Sequence, residues 1–151
     1  MGSTAIGIVD GSASCIAQQL GLRDRYGVNV RSLIVDDSEP FLESARRLLE
    51  SQGIEIVGTS TSGAQALELA VALAPDLALV DVELGEEDGV ALAGQIHSRS
   101  PATRVVLIST YGYDEMHDLI ATSAAVGFLP KGRLSGDAVR ALLEGGLRAS
   151  T

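Results

Sequence analysis

Four short apolar runs in this chain each lead to residues able to do chemistry. Leu33, Ile34 and Val35 run into the adjacent pair Asp36 and Asp37, within the stretch RSLIVDDSEPF. Residues 77–80 (LALV) stop at Asp81 and residues 105–108 (VVLI) at Ser109, while Gly127, Phe128 and Leu129 lead through Pro130 to Lys131. If these ends share one rim, three carboxylates, a hydroxyl and an ammonium converge there. Carboxylates packed together repel one another, and a hard divalent cation relieves that repulsion. Mg²⁺ prefers oxygen ligands, keeps several waters, and takes one or two carboxylates plus a phosphate oxygen. Lysine supplies a compact positive charge for a carboxylate or a phosphoryl oxygen, and a serine hydroxyl can donate to the latter. The set suits attack by an ionised aspartate on a phosphoryl donor, giving an aspartyl phosphate. Metal and lysine would neutralise the charge on the transferring oxygens.

Regular elements are needed to bring those ends together. Residues 30–35 read as a strand. Ser38 then reads as an N-cap, with Pro40 tolerated in the first turn. Phe41, Leu42, Ala45, Leu48 and Leu49 recur at helical spacing until Gly53. Residues 54–57 form a second strand and 64–74 a second helix, closed by Pro75 and Asp76. A third strand at 77–80 is followed by the loop VELGEEDG and a helix over about 90–98. A fourth strand at 105–108 precedes a helix over about 114–125. A short fifth strand at 127–129 and a helix capped by Ser135, running to about Leu143, complete the series. Five strand–helix units with short connections predict a flavodoxin-like α/β fold, a doubly wound five-stranded parallel sheet with five helices. In such sheets ligands gather beyond the carboxyl ends of the strands, where the reactive residues fall.

Composition agrees with that architecture. The chain has 151 residues, 46% hydrophobic but only 3% aromatic and without Trp, so its core is built from Ala, Val, Leu and Ile, as strands buried on both faces require. The net charge is −9 and no basic cluster occurs, which argues against direct nucleic-acid binding by this chain. The single cysteine, Cys15, excludes an internal disulfide and fits a reducing compartment. No apolar run reaches the roughly 18 residues of a membrane span, and the N-terminus lacks the pattern of a signal peptide. A cytoplasmic location without membrane contact is expected. Residues 1–28, rich in Gly and Ser, read as a leader, poorly ordered or loosely docked, ahead of one domain at 29–148.

With these residues in view, the chain resembles the receiver domain of bacterial two-component response regulators. The resemblance rests on LIVDD, LALVDVELGEEDG, VVLIST and GFLPK, and covers residues 30 to about 145. It implies that Asp81 is the phospho-acceptor, loaded from the phosphohistidine of a sensor histidine kinase or a phosphotransfer protein, with Mg²⁺ required. It further implies that Asp37 and Asp81 ligate the metal, Asp36 acts partly through water, and the backbone carbonyl of Glu83 completes the protein ligands. Ser109 and Phe128 match the family's switch pair. The hydroxyl moves toward the phosphoryl group and the ring turns inward, altering the surface of helix four, strand five and helix five. Such a chain is a signalling switch that assists its own phosphorylation and dephosphorylation, and is not otherwise an enzyme. Output by contact with another protein is expected, as is a phosphorylation-dependent homodimer. The alternatives are the receiver part of a longer transcriptional regulator, whose linker would begin at LLEGGLRAST, and a degenerate receiver acting as a constitutive binding module.

Some positions depart from the family's commonest form. Pro130 precedes Lys131 and Gly132 follows it, so the frequent cis peptide after the lysine is not expected. LGEEDG replaces a Met-Pro loop, and its turn is assigned to Gly85 and Gly89. Thr110 stands where a smaller residue often follows the hydroxyl. With Tyr111 and Glu83 it flanks the opening and is expected to slow hydrolysis of the phosphoryl group. Either Ser109 or Thr110 could face the site, depending on strand register, and Ser109 is favoured. Taken singly, Asp36 and Asp37 could also suit a helix start, Asp81 a turn, Lys131 a solvated surface and Phe128 the core. His97 and His117 receive no role, and Glu86, Glu87 and Asp88 read as a solvated acidic turn. An aspartyl-phosphate phosphatase fits poorly, since Glu83 occupies the place of its second acid/base aspartate. A flavodoxin fits poorly too, because two carboxylates stand where a phosphate loop would be.

Overall fold

The computed structural model describes residues 30–149, and the side chains of all of these except 113–116 and 145–149. The expected leader at 1–28 lies outside the described residues. Five parallel strands, β1 (Arg31–Val35), β2 (Glu55–Ser60), β3 (Leu77–Asp81), β4 (Arg104–Ser109) and β5 (Gly127–Pro130), form a sheet in the order β2-β1-β3-β4-β5. Helices α1 (Glu39–Ser51), α2 (Gly63–Leu73), α3 (Gly89–Arg99), α4 (Tyr113–Ala121) and α5 (Gly136–Ala149) connect and follow them. The fold is the flavodoxin-like one expected. From β1 the chain first moves outward to β2 and then returns to the other side of β1 for β3. The switch point of the sheet therefore lies between the ends of β1 and β3.

Alternation along each strand sorts the core into two layers. Ile34, Leu79, Val106 and Leu129 face α1 and α5, meeting Leu42, Ala45, Leu49, Val139 and Leu143. Leu33, Val80, Leu107 and Phe128 face the opposite layer, meeting Ala66, Ala70, Leu92, Ala93 and Ile96. Both surfaces of the sheet are covered, which explains why its strands read as continuous apolar runs.

Several boundaries differ from the sequence reading. β2 extends to Ser60 because Gly58, Thr59 and Ser60 pair with Leu33, Ile34 and Val35 after a register shift that skips Val57. Leu48 is 37% exposed although it shares the helical spacing; the inner face of α1 is Leu42, Ala45 and Leu49. α4 ends at Ala121, short of residue 125. The Thr122 hydroxyl donates to the Leu119 carbonyl (3.1 Å) and that of Ser123 to the Ile120 carbonyl (2.8 Å), and such local bonds compete with helix continuation. α5 runs on past Leu143 to Ala149, through the two glycines at 145 and 146.

The loop after β3 is a small antiparallel hairpin, pairing Glu83 with Asp88 and Leu84 with Glu87. Gly85 supplies the positive φ of its turn (62°). Gly89 is not part of that turn. It begins α3 behind the N-cap Asp88, whose carboxylate accepts from the Val90 N–H at 2.9 Å. A Cβ at Gly89 would strike the Asp81 carbonyl oxygen and approach the Val82 Cα. Because those are backbone atoms directly at Asp81, Gly89→Ala is expected to destabilise the domain by about 3 kcal/mol. An unchanged urea midpoint in that variant would contradict the close approach.

Candidate functional site

Strand register builds the site. Val35 pairs with Val80, so Asp36 and Asp81 emerge side by side from the ends of β1 and β3. Asp81 in turn pairs with Ile108, and Ser109 pairs with Pro130. Ser109 and Lys131 thus each lie one residue beyond the level of the neighbouring strand. The rim expected from the sequence is present, with its residues on four adjacent strand ends.

Asp36 is completely buried. Its Oδ1 accepts from the Ser38 N–H (2.8 Å), while its Oδ2 forms an ion pair with Lys131 Nζ at 2.6 Å. Ser38 also caps α1, its hydroxyl accepting from the Phe41 N–H at 3.3 Å. One residue therefore starts the helix and orients a carboxylate. Asp37 is exposed. Asp81, 5% exposed, accepts the Glu83 N–H at Oδ1 (3.1 Å) and the Lys131 ammonium at Oδ2 (3.2 Å). One carboxylate oxygen from each of Asp36, Asp37 and Asp81 falls within 4.8 Å of the others. Three hard oxygen donors this close, one open to water, match what Mg²⁺ uses.

Burial pushes the Asp81 carboxyl above its usual pKa range. The Glu83 N–H opposes the rise, Asp36 adds to it, and Lys131 again opposes. Burial alone would lower the Lys131 pKa, but the Asp36 and Asp81 carboxylates outweigh it and hold the ammonium above its ordinary value. The site is thus an acidic cluster bridged by one cation.

Ser109 is buried, with its hydroxyl accepting the Tyr111 N–H at 3.0 Å, whereas Thr110 is exposed and Tyr111 is 43% exposed. Of the two adjacent hydroxyls, Ser109 is the one turned inward. Phe128 is 7% exposed, in the same layer as Val105, Leu107 and Ile120. Glu83 presents its N–H to Asp81 and leaves its side chain exposed. All described peptide bonds are trans, including the one after Lys131.

Two contacts escaped the sequence reading. Glu87 is more than part of a solvated turn: its Oε1 accepts the Gly63 N–H (2.8 Å) at the first residue of α2, tying the hairpin beside Asp81 to that helix. Sequence offers no sign of a bond spanning 24 residues. Phe41, read as a core position of α1, also places its ring centroid 4.6 Å from Lys131 Nζ. His97 and His117 lie on α3 and α4; His117 Nδ1 is 3.5 Å from its neighbour Asp118.

The family model described as the response regulator receiver domain matches residues 32–142. Among curated proteins, the probable transcriptional regulatory protein NarL of Mycobacterium tuberculosis is 35% identical over 116 residues, 76% of this chain and 54% of that protein. A protein-glutamate methylesterase/protein-glutamine glutaminase of Alkalilimnicola ehrlichii is 37% identical over 115 residues, 73% of this chain but 29% of the enzyme. The chain therefore spans about half the length of the first relative and under a third of the second. Among solved structures, the signal receiver domain of the putative response regulator NarL from Mycobacterium tuberculosis superposes with a TM-score of 0.69 at 34% identity, covering 80% of this chain and 98% of that one.

Proposed function

Because this chain belongs to the response regulator receiver domain family, we propose that it is a phospho-accepting switch loaded on Asp81 by a sensor histidine kinase or a phosphotransfer protein. The observation that carries the reading is that one carboxylate oxygen from each of Asp36, Asp37 and Asp81 lies within 4.8 Å of the others, with Lys131 paired to Asp36 and Asp81. An Asp81 oxygen attacks the phosphorus, the N–P bond of the donor phosphohistidine breaks, and the imidazole keeps the electron pair. Asp37, Asp81 and the Glu83 carbonyl would hold Mg²⁺, with Asp36 acting through water. When bound, the ion neutralises charge on the transferring oxygens. Lys131, already 3.2 Å from Asp81 Oδ2, pairs with a phosphoryl oxygen. The Glu83 N–H holds the other carboxylate oxygen and keeps Asp81 aimed along the rim.

Ser109 and Phe128 form the proposed switch. The Ser109 hydroxyl, now an acceptor for Tyr111 N–H, retains its proton and can donate it to a phosphoryl oxygen. Phe128 is buried in the layer that holds Leu107 and Ile120, so a turn of its ring would repack that layer. The resulting change on α4, β5 and α5 is offered to an output protein in the cytoplasm or to a second copy of the chain.

Incubation with Mg²⁺ and acetyl phosphate is expected to add one phosphoryl group, read by intact mass, and chelation of the metal is expected to prevent it. Absence of any adduct under saturating Mg²⁺ would overturn the reading. Thr110, exposed beside Ser109, narrows the path of attacking water. Thr110→Ala is accordingly expected to shorten the phosphorylated lifetime severalfold, and an unchanged dephosphorylation rate would remove Thr110 from the opening.

A further inference from the structure

Lys131 has a neighbour besides its carboxylates. The Phe41 ring centroid lies 4.6 Å from Nζ, inside the roughly 6 Å at which an aromatic face attracts a cation. The ammonium thus meets the Asp36 and Asp81 carboxylates and an aromatic ring as well. We propose that Phe41 is a positioning residue for Lys131, its ring keeping the ammonium at the acceptor as Asp81 changes from a carboxylate to an acyl phosphate. The proposal rests on the reading of Asp81 as phospho-acceptor.

The surroundings of Lys131 make such a support useful. It stands in a 3-10 turn, Lys131–Arg133, followed by Gly132, around which a Cβ would find open space. Its long flexible stem thus receives little packing from the following residue. The backbone of Phe41, in contrast, is held in place. Pro40 precedes it in the first turn of α1, and its N–H is held by the Ser38 cap. Its side chain packs against the layer that contains Leu129 and Leu134, which flank Lys131 in sequence.

The ring also differs from a carboxylate in what it demands. A carboxylate fixes the ammonium on one oxygen, whereas an aromatic face attracts it over an area. Lys131 can therefore move from Asp81 Oδ2 toward a phosphoryl oxygen without losing this contact. Ser38 consequently links three features: it caps α1, orients Asp36, and sets Phe41 beneath the ammonium.

The test replaces Phe41 by 3,4,5-trifluorophenylalanine in the full chain, a ring of similar shape with a weaker negative face, alongside Phe41→Leu and Phe41→Tyr. Phosphorylation by acetyl phosphate with Mg²⁺ is expected to slow about three- to tenfold in the fluorinated and leucine variants, and to stay near wild type in Phe41→Tyr. The Lys131 ε-methylene protons should be shifted upfield by the ring in wild type and return downfield in Phe41→Leu. A fluorinated variant phosphorylated at the wild-type rate overturns the proposal, as do unshifted ε-methylene protons in wild type. If wild type itself accepts no phosphoryl group, the reading of Asp81 falls and takes this proposal with it. Normal loading of wild type together with an indifferent fluorinated variant sinks the role of Phe41 alone.

Discussion

Asp81→Asn is expected to accept no phosphoryl group from acetyl phosphate, while Asp37→Asn still accepts one at a reduced rate. Three aspartates share the site, and the local geometry distinguishes them. The Asp36 side chain has no exposure, with one oxygen bonded to the Ser38 N–H and the other against Lys131, so a donor cannot approach it. Asp37 is open to solvent, which suits a metal ligand in contact with water. Asp81 keeps 7% of its side chain exposed, with a backbone N–H at one oxygen and the ammonium at the other. It alone combines an opening with groups placed to steady the developing charge. Asparagine at 81 preserves shape but is not a competent nucleophile. Intact mass on wild type and the two variants, with Mg²⁺ present, separates the roles: an adduct persisting in Asp81→Asn would move the acceptor to another side chain.

The positions of Asp36, Asp81, Ser109 and Lys131 were legible in the sequence because each follows an apolar strand, and parallel pairing brings strand ends to one rim. Register supplied the rest: Val35 opposite Val80 and Ser109 opposite Pro130 are consequences of packing two alternating faces, and no local motif states them. The hydroxyl that turns inward was open to the neighbouring Thr110 until β4 was paired. Features controlled by long-range approach were hidden. Gly89 looked like a turn glycine, whereas the neighbourhood of the Asp81 carbonyl forbids a Cβ there. Glu87 looked solvated, yet it reaches the first N–H of α2.

Helix ends show the same division. Ser38 and Ser135 were readable as caps because the hydroxyl acts within three residues, and both accept the expected N–H, from Phe41 and Ala138. The end of α4 was not, because hydroxyls that help to cap a helix at one end compete with it at the other. Phe41 illustrates a side chain with two surroundings. Its spacing placed it on the apolar face of α1, and only the fold reveals that the same ring meets a cation from β5's far end. Periodicity reports which face a residue occupies and leaves out what stands opposite.

Lys131→Met is expected to destabilise the Mg²⁺-free domain by about 3 kcal/mol, and added Mg²⁺ should recover part of the loss. Methionine keeps much of the stem's apolar volume, so the substitution chiefly removes charge. In wild type the ammonium lies 2.6 Å from Asp36 Oδ2 and 3.2 Å from Asp81 Oδ2 with only 17% of the side chain exposed. Its removal leaves two almost buried carboxylates facing each other, and breaking such a pair from one side leaves uncompensated buried charge. A divalent ion held by Asp37 and Asp81 would restore positive charge beside them, so wild type and variant should draw closer as Mg²⁺ is raised. The same variant should load slowly from acetyl phosphate even with Mg²⁺ saturating, because the phosphoryl oxygen that Lys131 would meet is left without its cation. Urea unfolding with and without Mg²⁺ decides the matter. Equal midpoints for wild type and Lys131→Met in the absence of metal would mean that the ion pair contributes nothing to the fold, and that the acidic cluster is balanced by solvent instead.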